Sequence, residues 1–190
     1  MKSKVFIFYI LCLQIFSCVG AGYNSKKLDS LHKYLSDEMK KGSIYDGFQS
    51  RAFFKVIYKS IELRKNLVEA IAEMESLTES EKGALLNKEM EEESRFFDFC
   101  VVLSTTDFKT NDLNVKNSIW RIFIEDSNGK REYPVEIKEI KADQKVKILY
   151  PGVSRFGKFY QIRFEKKDRT DIKGVSLVFS SVLGKAVFKY

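Results

Sequence analysis

The side chains that could do chemistry here are few. One of 190 residues is His, three are Cys and none sits in a recognised catalytic setting. A histidine base needs a nucleophile or a carboxylate placed beside it by the fold. His32 stands four residues after Leu28, at the border of an apolar helical stripe, where packing is the expected role. A closed zinc site takes four His or Cys ligands, and the count leaves too few of them. Asp107, Asn111 and Asp112 cluster in one loop and could offer oxygens to calcium. Their spacing fits no EF-hand, and Asx side chains in such a loop more commonly build turns. Gly-x-Ser-x-Gly elbows and Gly-rich phosphate loops are absent. The 26 acids leave a carboxylate pair open as a hydrolytic device, with no pair favoured. No catalytic residue, metal site or cofactor is therefore expected.

Cations interleaved with aromatics are the remaining signal. Lys138, Lys141, Lys145 and Lys147 crowd one segment. Arg155, Lys158 and Arg163 surround Phe156, Phe159 and Tyr160, and Lys166, Lys167, Arg169 and Lys173 share one turn. Such patterns bind polyanions. Lysine dominates the basic residues, and it solvates well but recognises anions less specifically than arginine, so solubility is the competing explanation.

The leader decides what kind of anion the protein meets. Lys2 and Lys4 precede an apolar run from Val5 to Phe16, followed by Ser17, Cys18, Gly20, Ala21 and Gly22, which is the layout of an export signal over residues 1–22. Twelve helical residues cover ~18 Å, short of the ~30 Å of a bilayer core. The segment Ile15-Phe16-Ser17-Cys18 resembles the lipobox of bacterial lipoproteins: an aliphatic residue three before the Cys and a small one just before it. Phe16 departs from that pattern, and cleavage after Ala21 is the competing site. The resemblance implies a diacylglycerol on Cys18, an exported protein held on a membrane by its N-terminal lipid, and a domain facing the periplasm or the cell surface. An exported domain would meet a protein or an anionic envelope polymer rather than nucleic acid.

The elements behind these residues change character near Asp98. Residues 22–98 hold 13 basic and 15 acidic side chains, and residues 99–190 hold 18 and 11. Leu28, Leu31, Leu35 and Met39 are spaced for one face of a helix. Phe54, Ile57, Ile61, Val68 and Ile71 predict a longer helix over about 46–76. Thr78 and Glu81 form a capping box for a third helix, which carries Leu85, Leu86 and Met90 before Glu91-Glu92-Glu93. From Phe97 the period becomes two: Phe97, Phe99, Val101 and Leu103, then Trp120, Ile122 and Ile124. Asn128-Gly129 predicts a tight turn. Further strands are expected around Tyr133–Ile137, at an edge because of Pro134, and over Val146–Tyr150, Tyr160–Phe164, Val175–Phe179 and Ala186–Tyr190.

The fold expected is α+β, with a helical region over 23–96 of two to three helices. An antiparallel β-sandwich or barrel of six to seven strands follows over 97–190. This helices-then-strands layout resembles that of uncharacterised bacterial lipoproteins, and the resemblance implies no activity. The function expected is that of a non-enzymatic envelope lipoprotein whose β region binds a protein or a polyanion. An envelope hydrolase using a carboxylate pair is the alternative.

Overall fold

The computed structural model describes residues 25–153, 156–167 and 171–190. Cys18 and the leader lie outside the described residues, as do Arg155 and Arg169. Helix α1 (Lys26–Glu38) starts where the Ser25 hydroxyl accepts the Leu28 N–H. Strands β1 (Lys40–Asp46) and β2 (Gln49–Tyr58) form a hairpin whose turn uses Gly47 at φ 58°, a left-handed value that favours glycine. Helix α2 (Ile61–Glu75) is capped by Ser60. Helix α3 (Glu79–Arg95) is capped by the expected reciprocal box of Thr78 and Glu81. Strand β3 (Phe96–Thr105) follows directly. The chain continues through a short 3₁₀ turn (Phe108–Thr110), β4 (Arg121–Glu125), β5 (Arg131–Glu132), β6 (Glu136–Ile140) and helix α4 (Gln144–Leu149). Strands β7 (Lys158–Glu165), β8 (Ser176–Ser181) and β9 (Gly184–Lys189) complete it.

The fold is α+β, with two antiparallel sheets. The larger has strand order β1-β2-β3-β7-β6, and the smaller has β5-β4-β8-β9. Side chains of both sheets share one apolar core. Phe54 of β2 lies 4.8 Å from Phe179 of β8 and 5.4 Å, edge to face, from Trp120, whose indole N–H donates to the Thr110 carbonyl at 2.7 Å. The other face of the large sheet is covered by helices. Leu31, Leu35, Leu63 and Leu67 pack there on Ile57, Cys100, Val102 and Phe159. Strand β3 is consequently buried on both faces, and Cys100 is buried rather than half-exposed.

Three expectations are corrected. The helix expected over 46–76 begins only at Ile61, because its first part is β2. Ala52, Phe54 and Val56 alternate into the core between the sheets, while Ile57 faces the helices on the other side, so two strand faces mimic one helical stripe. The strand expected at Val146–Tyr150 is helix α4, whose cap Asp143 accepts the Val146 N–H at 2.8 Å and overrides the β-branched composition. The helices do not all precede the strands, and residues 97–190 do not build the β layer alone. Strand β2 pairs with β3 along Ala52↔Thr105 to Tyr58↔Phe99, so the 23–96 region supplies two strands of the five.

Candidate functional site

The cations singled out in the sequence are dispersed rather than gathered. Lys138 lies exposed on edge strand β6, and Lys141 and Lys147 are exposed beyond it. Lys145 on α4 pairs with Glu75 at 2.5 Å, and Lys158 pairs with Glu139 at 3.1 Å. Lys167 lies 3.9 Å from Glu132. Arg163 and Lys166 turn inward, to Asp98 and Glu93.

Those two belong to an ionic layer between the large sheet and the helices. Asp98 on β3 and Arg64 on α2 are each 0% exposed and meet at 2.6 Å. Arg163, beside Asp98 on β7, donates to the same carboxylate at 2.8 and 3.2 Å. Helix α3 closes over the cluster. Its Glu89 accepts Arg64 at 2.7 Å and Lys59 at 3.0 Å, Glu92 meets Arg163 at 2.5 Å, and Glu93 accepts Lys166 at 2.5 Å. Burial pushes the Asp98 carboxyl up, but the hydrogen bonds and charges of Arg163 and Arg64 outweigh it and hold the group below its ordinary value. Glu89 behaves alike: burial raises it, and Lys59 and Arg64 bring it below the ordinary range. These acids stay ionised near neutrality. The layer fastens α3, which has no buried residue of its own, and offers no exchangeable proton.

The isolated polar groups have structural work. His32 Nε2–H donates to the Ile148 carbonyl at 2.6 Å and ties α1 to α4. Burial pushes the Cys100 thiol up, and its sulfur sits 3.8 Å from the Tyr150 hydroxyl. Asp107 Oδ1 accepts the Lys109 N–H, Asn111 Nδ2 donates to the Leu103 carbonyl, and Asp112 accepts from the Ser118 hydroxyl, so this loop is turn chemistry. Among the described residues no group of three His, Cys, Asp or Glu is placed to hold a metal ion. No helix among them is long and apolar enough to cross a membrane.

The feature the sequence reading missed is an aromatic end on the large sheet. Phe48, 107% exposed, tips the β1–β2 hairpin, and Tyr45 (60%) and Phe53 (51%) stand behind it with ring centroids 6.4 Å apart. Thr106 donates its N–H to the Arg51 carbonyl and its hydroxyl to the Ser50 carbonyl, which brings the following Phe108 (67% exposed) to the same end. Cations are interleaved. Lys158 Nζ lies 5.6 Å from the Phe108 ring centroid, Arg51 pairs with Asp46 at 2.7 Å, and Lys109 is exposed. Exposed rings gathered this way are unusual on a surface that faces only water. The signal is present in Tyr45-Asp46-Gly47-Phe48, an aromatic pair bracketing a turn, but the helix expected to begin at about residue 46 hides it.

No family model matches the chain, and no curated protein matches it. Among solved structures it is similar to a protein of unknown function from Burkholderia pseudomallei K96243. The identity is 10%, the TM-score is 0.43, and the alignment covers 85% of this chain and 84% of that one.

Proposed function

We propose that this chain is an exported, non-enzymatic binding protein, held on a membrane through a lipidated Cys18, whose β1–β2 end docks on an anionic lipid surface. The observation that carries the reading is the aromatic end: Tyr45, Phe48, Phe53 and Phe108 exposed near Arg51, Lys109 and Lys158. Amphipathic rings settle at the headgroup boundary, and Lys or Arg beside them add roughly 1 kcal/mol each toward anionic lipid. The two acyl chains of a diacylglycerol would hold the chain on the membrane, and a contact through this end would set the orientation of the domain. Lys158 is the cation of the Arg155–Arg163 segment that lies at this end. The shared core of the two sheets supports reading them as an antiparallel sandwich, a stiff base for the exposed hairpin.

The carboxylate-pair hydrolase is the weaker reading. A general acid needs a pKa raised toward neutrality, and Asp98, the most buried acid, and Glu89 beside Arg64 are shifted the other way. The test uses the Cys18→Ala chain, so that no acyl anchor contributes, and sedimentation with phosphatidylcholine vesicles with and without phosphatidylglycerol. The anionic vesicles should retain it, less so at high salt, and Phe48→Ser with Phe108→Ser should release it. Equal retention of parent and variant would refute docking by this end.

A further inference from the structure

The far end of β1 and β2, away from the hairpin, opens into a second feature of opposite charge. Two adjoining cavities of about 270 and 460 Å³ share Tyr34, Glu38, Tyr58, Ser60 and Ile172. The smaller reaches Lys40 and Tyr190, and the larger reaches Glu62 and Asp171. The chain as a whole carries a net charge of +7, yet carboxylates outnumber cations here.

The fold makes this negative potential deliberate in position. Helix α1 ends at Glu38 with no basic residue in its last turn, so its carbonyl end and a carboxylate stack like charges at one place. The opposing N-terminal end of α2 is already balanced by Glu62 in its first turn. Glu93 at the rim is paired with Lys166 and Asp171 with Lys173, 3.9 Å away, which leaves Glu38 and Glu62 facing the opening. Rings complete the lining. Tyr58 and Tyr190 lie 6.2 Å apart, and the Tyr34 hydroxyl shares a hydrogen bond with Ser60 Oγ at 2.8 Å. Burial, with Glu93 and Asp171 adding to it, pushes the Tyr58 hydroxyl up to about 12, so the ring stays neutral. The Tyr190 hydroxyl oxygen is buried without a hydrogen-bond partner, so it is the ring of Tyr190 rather than its oxygen that a cation meets here. The chain's own Lys40 ammonium already sits 4.8 Å from the centroid of the Tyr190 ring, which shows that this face takes a cation.

We propose that this cleft between Tyr34, Tyr58 and Tyr190 is a binding site for an organic ammonium ion with a short aliphatic body. The rings would take the methylenes and the cation, and Glu38 would face the charge. A metal ion fits poorly, because no three carboxylates converge. The site is independent of the docking end and stands or falls separately.

The test is calorimetric titration of the full chain with n-butylammonium, against n-butanol as the neutral analogue. The ammonium should bind and butanol should not. Glu38→Gln should weaken binding, and Tyr190→Phe, which keeps the ring, should weaken it less. Lys40→Met removes the internal competitor and should tighten binding roughly three- to tenfold, the scale of one cation–π contact. A purely structural Lys40 would give no such gain. A lysine-containing peptide and a free diamine, run in parallel, tell a protein side chain from a soluble amine by which binds tighter. Absence of n-butylammonium binding at about 10 mM, far above the concentration a millimolar site needs, would overturn the proposal. So would equal binding of butanol, or an unchanged affinity in Lys40→Met.

Discussion

Asp98→Asn is the sharpest perturbation the structure offers. The amide keeps the shape of the carboxylate and removes its charge. Arg64, 0% exposed, would then keep Glu89 alone, and Arg163 would keep Glu92 and the more distant Glu136. Removing one partner of a buried ion pair costs about 3–5 kcal/mol, because the remaining charge stays buried. Each arginine retains at least one carboxylate, so the expected loss is at the lower end, about 3 kcal/mol. For a chain of this size that lowers Tm by about 6–12 °C. Urea and thermal unfolding at neutral pH measure it. The pH dependence follows in sign. Asp98 has a folded pKa below its unfolded one, so its contribution is complete above the unfolded value of about 3.9 and is lost as pH falls through the folded value. The gap between wild type and Asp98→Asn should therefore narrow in acid. Replacing the buried trio by Arg64→Met, Asp98→Leu and Arg163→Met should cost less than the single change, because no fully buried charge is left unpaired: Glu89 keeps Lys59, and Glu92 is partly exposed. A loss under about 0.5 kcal/mol for Asp98→Asn, the scale of an ordinary surface change, would refute the reasoning.

Trp120→Ala should cost about 3–5 kcal/mol by emptying the space between Phe54 and the smaller sheet, and fluorescence of the single wild-type tryptophan should shift to the red only on unfolding. Gly42→Ala should cost about 1–3 kcal/mol, since a Cβ there would lie 2.8 Å from Cζ of Phe188 where β1 approaches β9; unfolding curves matching wild type would show that the ring moves aside. Cys100, buried with its thiol pushed up, should react with a thiol reagent only as fast as the protein opens, and rapid labelling of the folded chain would contradict its placement.

Local signals were legible where one period or one cap dominated. The Thr78–Glu81 box, the Asn128-Gly129 turn with Gly129 at φ 78°, and the alternation that buries Trp120, Ile122 and Ile124 could all be read from neighbouring residues. The β1–β2 hairpin was not legible. Its apolar residues fit a helical stripe as well as a strand, and what decides is pairing with β3, about 50 residues away in sequence. Asp98 was hidden for the same reason. In an alternating strand it reads as the solvent side, and only the helices laid over β3 make that side interior and call for Arg64. Scattered lysines could be counted but not located, so the dispersal of Lys138, Lys145 and Lys166 had no sequence signature.

The acidic half and the basic half of the chain are two sides of one contact as much as two surfaces. Helix α3 carries the run Glu91-Glu92-Glu93, and Glu92 and Glu93 with Glu89 meet Arg163, Lys166, Arg64 and Lys59 across the edge of the sheet. A helix with a thin apolar face and no buried residue needs such an attachment, because propensity alone leaves a helix of this length marginal in water. Pairing Arg163 and Lys166 inward also withdraws them from the surface. What is left outside is uneven: aromatic rings at the β1–β2 turn, with Arg51 and Lys158 in exposed pairs with Asp46 and Glu139, and carboxylates around tyrosines at the opposite end of the same two strands. The two proposed sites lie at opposite ends of one sheet and share no residue, so each can be tested with the other intact.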